Sequence, residues 1–383
     1  MKGKRSSLGN GLLISPVLFF LFAFLLPAVR EGDGRFYALA GIWSFFILGS
    51  GILFPRLFRL DRLLLTIVNV FTGMLPLLTS LTDMNLQMGY WVELGVGYAL
   101  MIAACSLART GSEALSFRLL LLLPALVLMV LPQIVPLSFG TGFLSCVILL
   151  FPFAALLKMR HFLIAGLMSL ASLSLLLWQG EWAPALSWAA VVSLLLWTSS
   201  GSWIILLISA LSGFGLTGLF LRISPSLLWE SLPRLPASED AAAFSGGLFG
   251  TGPGLSSALS GLKGNVLWPL LTIQEQFGSI FLCCLLLLFA VFLARCVSGA
   301  CDARKELPAL ECMGAVILLA ARVLIVLASG LGWLPLPSAG FPLLSSDPAV
   351  LLPDLFLAGW IAGVIARNRA DLEEDTHLAM LSH

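Results

Sequence analysis

The hydrophobic positions of this chain fall in long unbroken blocks. Residues 11–29 (GLLISPVLFFLFAFLLPAV) and 63–81 (LLLTIVNVFTGMLPLLTSL) carry no charge, and about 20 apolar residues cross the hydrocarbon layer of a bilayer as a helix. Twelve such blocks are read: 11–29, 36–54, 63–81, 87–107, 117–135, 142–157, 162–178, 184–199, 203–221, 272–294, 309–330 and 349–366. The weakest division lies within 184–221, where only the polar patch TSSGS separates two blocks. The ~10-residue alternating segments of a membrane barrel do not occur. In lipid every backbone polar group needs an internal partner. The predicted fold is therefore an all-α polytopic transmembrane helix bundle of about 10–12 spans with one long external loop. The first block follows Lys2, Lys4 and Arg5 as a signal peptide would. It exceeds the ~7–15-residue core of a signal and is read as an uncleaved first span.

Composition agrees with the pattern. The 383 residues are 59% hydrophobic and 11% charged, with a mean hydropathy of +1.02, whereas a soluble domain carries about 25% charged residues. A soluble globular enzyme is excluded, and a net charge of +1 gives no sign of a nucleic-acid partner. Of the cysteines Cys105, Cys146, Cys283, Cys284, Cys296, Cys301 and Cys312, none falls in a loop assigned outside, so a disulfide framework is not expected. Cys296, Cys301 and Cys312 lack a neighbouring histidine, and no zinc site is assigned.

Charge sets the orientation. With the N-terminus inside, the inner segments hold Lys2, Lys4, Arg5, Arg56, Arg59, Arg62, Arg109, Arg118, Lys158, Arg160, Arg295, Arg304, Lys305, Arg367 and Arg369. The outer loops hold only Arg30, Arg35, Arg222, Arg234 and Lys263. Both termini are expected in the cytoplasm. The chain divides into N-terminal membrane helices (1–221), an external glycine-rich loop (222–265), C-terminal membrane helices (266–366) and a short acidic tail (367–383). Loops as long as 222–265 are usually functional or disordered. Its Trp229, prolines and glycine run suggest a partly folded segment lying over the bundle.

That run, SGGLFGTGPG at 245–254, holds Gly246, Gly247, Gly250, Gly252 and Gly254, which let a backbone take positive φ and approach a ligand or a helix closely. A nucleotide loop is ruled out, since G-x-x-x-x-G-K-S/T is missing. After the run come Glu275, Gln276 and Gly278 in TIQEQFG, and then LPLPSAGFPL at 334–343 with Pro335, Gly340 and Pro342. In order and spacing over residues 238–366, these resemble the SEDS family, the FtsW/RodA/SpoVE proteins of bacterial division, elongation and sporulation. The corresponding family motifs are S-G-G-x-x-G-x-G-x-G, E-E-x-G and L-P-x-T-G-x-P-L-P. Ser112-Glu113 and Gly140-Thr141 resemble two further residue pairs of the family.

The resemblance implies a bacterial cytoplasmic-membrane protein of peptidoglycan assembly. It would be a glycosyltransferase that polymerises lipid II, an undecaprenyl-diphosphate-linked substrate, or a non-catalytic relative, with a class B penicillin-binding protein as partner. A divalent cation is compatible with that chemistry, but no metal ligands are assigned. Gly246, Gly247, Gly250, Gly252, Arg322, Pro335, Gly340 and Pro342 are the expected substrate-binding residues. The family's aspartate, in T-D-F-x-F ahead of E-E-x-G, falls on Leu267 when counted back from Gly278, and the threonine falls on Val266. The family's S-Y-G-G-S is also replaced, by SSDPAV at 345–350. Leucine cannot take a proton from a sugar hydroxyl, so another acid serves or the protein is not a catalyst. The candidates at or near the outside are Glu230, Glu239, Asp240, Glu275 and Asp347, with Glu275 and Asp240 foremost.

Glu93, Glu275, Arg322 and Asp354 fall within apolar blocks, where a charge costs ~2.5–3.5 kcal/mol at a helix centre on the insertion scale. Arg322 is expected to pair with Asp354 or Glu275, either to fix helix packing or to hold a lipid diphosphate. Two other classes remain. An O-antigen-type polymerase or ligase would need an external histidine, yet His161, His377 and His383 all fall inside. A transporter would show a duplicated half, and no repeat is evident.

Overall fold

The structure, a computed structural model, describes residues 2–58, 60–82, 88–110, 115–134, 140–223, 246–254, 267–331, 333, 340–345 and 347–381. Its helices are α1 (Lys2–Glu31), α2 (Gly34–Phe58), α3 (Arg62–Thr82), α4 (Met88–Thr110), α5 (Leu115–Leu120), α6 (Leu122–Ile134), α7 (Gly142–Lys158), α8 (Phe162–Trp178), α9 (Trp182–Ser200), α10 (Trp203–Ile223), α11 (Trp268–Cys301), α12 (Glu306–Gly330) and α13 (Pro348–Leu381). Every apolar block is a helix. Among the described residues nine helices are long and apolar enough to cross a membrane, and shorter apolar helices cover 14–30, 142–158 and 162–178. The block at 117–135 is split into α5 and α6 at Leu121. The doubtful boundary at TSSGS is real: Gly201, at φ +68°, ends α9 in a left-handed turn, which glycine adopts without Cβ strain.

Helices in lipid gain nothing from leaving water, so close packing and polar contacts hold them together. α13 lies along α4 through Gly359 and Gly363, which rest on the backbone carbonyls of Met101 and Cys105; a Cβ at either position would collide. A buried polar chain links α2, α3 and α4: Asn69 donates to Ser50 Oγ at 2.9 Å, and Tyr98 donates to Asn69 Oδ1 at 2.6 Å. Arg118 of α5 pairs with the buried Glu311 of α12 at 2.8 Å and lies over the Trp360 ring at 4.9 Å. Flanking phenylalanines and leucines point outward, Phe45 and Leu163 among them. In water this would be a liability, but in a bilayer it is the expected exterior.

Candidate functional site

The glycine turn and the break in α11 are two halves of one structure. Gly278 has φ +84° and ψ 170° in the middle of α11, a conformation a side chain would strain. The break strips the adjacent backbone groups of their helical partners, and bare backbone groups are not tolerated inside a bilayer. Residues 246–252 supply the replacements. Thr251 N–H donates to the Glu275 carbonyl at 2.9 Å, and Gly252 N–H to that of Gln276 at 3.0 Å. In return, Ser279 N–H donates to the Gly247 carbonyl at 3.1 Å and Ile280 N–H to that of Leu248 at 3.3 Å. Gly250, at φ +81°, sits on the Gln276 carbonyl where a Cβ would clash, and Gly246 sits likewise on Glu275. Arg30, at the end of α1, ties down the far side of the turn through the carbonyls of Pro253 (3.2 Å) and Gly254 (2.7 Å).

A second clip lies at the same end of the bundle. Arg322 of α12 is buried; its Nη1 donates to Asp354 Oδ1 of α13 at 2.5 Å and its Nε to the Gly340 carbonyl at 3.0 Å. Leu343 N–H donates to Asp354 Oδ2 at 2.9 Å, and the guanidinium lies 4.5 Å from the Phe143 ring centroid. The ion pair therefore fixes residues 340–344 to the bundle. Pro342 is buried there. Phe341 stacks on Phe71 at 5.6 Å and meets Phe289 of α11 edge-on at 5.0 Å.

Of the expected site residues, Gly246, Gly247, Gly250, Gly252 and Glu275 come together at the break, and Arg322, Gly340 and Pro342 at the ion pair. The Glu275 side chain is buried. Gly246 and Gly250 are turned onto α11 backbone. Arg322 takes Asp354, one of its two expected partners. Asp240, Pro335, Glu230, Glu239, Trp229, Val266 and Ser112-Glu113 lie outside the described residues. Leu267 is buried at the start of α11.

Sequence reasoning missed Glu181. It sits between α8 and α9, against Gly140 and Gly142. Burial, and then the charge of Asp347, push its carboxyl above the ordinary carboxylate range. Asp347 is within electrostatic reach of Glu93 of α4 as well. Three acids from distant parts of the chain thus meet at the glycine-turn end. Along the neighbouring wall, a groove of about 670 Å³ bounded by Leu100, Pro124, Ile148, Leu352 and Phe356 carries only apolar surface.

Comparison with known proteins agrees with the motifs. Residues 234–370 match the model of the FtsW/RodA/SpoVE cell cycle proteins. The rod-shape-determining protein RodA of Thermus thermophilus has a similar fold: 20% identity, TM-score 0.60, 82% of this chain and 99% of that one. A point mutant of the same protein aligns at TM-score 0.58 and 20% identity, covering 81% and 98%. A chain from a peptidoglycan synthase complex described as coordinating polymerization and crosslinking aligns at TM-score 0.61 and 18% identity, covering 81% and 98%. No curated protein matches in sequence. The family match thus covers both clips, and the helical fold is shared with RodA over most of the chain: this is a multi-pass helical membrane protein whose C-terminal part is similar to the FtsW/RodA/SpoVE proteins.

Proposed function

We propose that the protein works in peptidoglycan assembly at the outer face of the bacterial cytoplasmic membrane. It would handle undecaprenyl-diphosphate-linked lipid II beside a class B penicillin-binding protein, without the aspartate chemistry of its family. The observation that carries this reading is Leu267: an apolar side chain, 3% exposed, stands where the family motif has its acid. No proton can leave a sugar hydroxyl for a leucine. The glycine turn, Glu275, Arg322, Gly340 and Pro342 would then shape the substrate cavity by holding the two clips in place. The apolar groove would suit the prenyl chain, since such a groove offers hydrocarbon contacts and no polar partner.

A second reading keeps catalysis and moves the base. Glu181 holds its proton more tightly than an ordinary carboxyl, which brings it nearer the affinity a general base needs at neutral pH. Proteoliposomes containing the full-length protein, a class B partner and lipid II distinguish the two. Retention of lipid II with no glycan strands is the expected result. Strand formation overturns the non-catalytic reading, and its loss in Glu181→Gln then assigns the base to Glu181. Failure to retain lipid II overturns both. The same preparations test Glu275→Gln, which is expected to lose lipid II retention at normal protein levels.

A further inference from the structure

The opposite end of the bundle carries a polar cavity that the family reading does not use. It measures about 630 Å³ and lies between the end of α2, the start of α3 and the far part of α13, bounded by Pro55, Leu60, Asp61, Arg62, Ala366 and Arg369. Asp61 has both carboxylate oxygens committed. Oδ1 accepts Leu63 N–H at 3.0 Å and so caps α3, as an aspartate at an N-cap does. Oδ2 accepts Arg295 Nε at 3.3 Å and Nη2 at 3.0 Å, and also Arg369 Nη2. Two guanidiniums, those of Arg295 and Arg369, therefore share a single carboxylate, and Arg62 lines the same cavity. Arg62 is exposed and makes no ion pair among the described residues. The excess is positive, and it is made of arginine, whose planar fork of N–H donors matches phosphate oxygens.

We infer that this cavity binds the phosphate group of an anionic ligand, with Arg62 and the outer edge of Arg369 as its contacts. The volume lies within the 300–1,000 Å³ of ordinary ligand sites and exceeds what a bare phosphate fills. Pro55, Leu60 and Ala366 give it an apolar side, which fits a phosphate ester carrying a non-polar portion. Two sources have this chemistry, an acidic phospholipid headgroup and a soluble phosphate ester. Basic pockets between helix ends are a known way of holding acidic headgroups.

The full-length protein is purified from nanodiscs of phosphatidylcholine with phosphatidylglycerol, and retained lipid is counted by native mass spectrometry. Wild type should retain phosphatidylglycerol over phosphatidylcholine. Arg62→Gln should cut that preference about fivefold, the effect of removing one arginine at a membrane surface. Arg62→Lys should keep part of the preference, and Arg222→Gln, an exposed arginine at the other end of the bundle, should keep all of it. In a second arm, glycerol phosphate is added to protein in phosphatidylcholine nanodiscs. A rise in melting temperature that Arg62→Gln abolishes, with no lipid preference in the first arm, identifies a soluble ester as the ligand. Absence of both effects in wild type, or their survival in Arg62→Gln, overturns the site.

Discussion

At the scale of single residues, the site depends on a few backbone conformations and one ion pair. Gly278→Ala puts a Cβ where φ is +84° and where Leu248 and Gly250 backbone already lie. The strain alone is on the order of 1–3 kcal/mol, and the collision adds to it, so the glycine turn should be displaced and the apparent melting temperature in detergent should fall. An unchanged melting temperature would show that the break is incidental. Arg322 and Asp354 behave differently singly and together. Removing one partner leaves a buried charge uncompensated and costs roughly 3–5 kcal/mol, whereas replacing both with apolar residues of similar volume is often near neutral. Arg322→Met is therefore expected to lower expression and melting temperature sharply, and Arg322→Met with Asp354→Leu to recover most of the loss. A double variant as poor as the single one would mean that the Gly340 carbonyl and Leu343 N–H contribute more than the charge pair.

At the scale of elements, Asp61 joins three helices: it caps α3 and receives arginines from α11 and α13. Burial pushes its carboxyl up, but the hydrogen bond from Arg295 and the charge of Arg369 outweigh burial and leave it below the ordinary 3.8. A folded value below the unfolded one means that the clamp's contribution is complete above pH 3.8 and lost as pH falls through the lower folded value. Asp61→Asn should accordingly lose stability at neutral pH and show a shallower further loss on acidification than wild type. Glu181 has the opposite sign. Its folded value is raised above 4.5, so the folded state holds the extra proton and stability declines as pH rises from 4.5 through the folded value. Glu181→Gln should flatten that decline in melting curves; an unaltered pH profile would remove Glu181 from the acidic set it forms with Asp347. These elements also show what the sequence reveals. Each membrane helix was legible because a span needs an apolar run, and SEDS-type motifs marked both clips because they are local strings. The break at Gly278 was not legible: the motif TIQEQFG marked the glycine but not its conformation, since its φ depends on a turn about 30 residues away. Glu181 was missed for the same reason, since Asp347 approaches it only through tertiary packing.

At the scale of the whole molecule, the two ends differ in the charge they carry and in what they offer a ligand. The order of the spans assigns fifteen of the sequence's lysines and arginines to the side of Asp61, Arg295 and Arg369, against five to the glycine-turn side. Translocating basic loops is disfavoured, and the count over short connections fixes how a bundle inserts. The glycine turn, the Arg322–Asp354 clip and Glu181 are thereby predicted to face the periplasm, where lipid-linked cell-wall precursors are used. Labelling tests this without reference to activity. Leu248 is exposed on the glycine turn, and Cys301 is exposed at the opposite end. Two variants are needed: one carries Leu248→Cys with all native cysteines replaced, the other keeps Cys301 alone. In intact cells a membrane-impermeant maleimide should label the first and spare the second, and permeabilisation should expose Cys301. The reverse pattern would turn the bundle over. It would place the clips in the cytoplasm and the arginine cavity outside, and so defeat the proposed function.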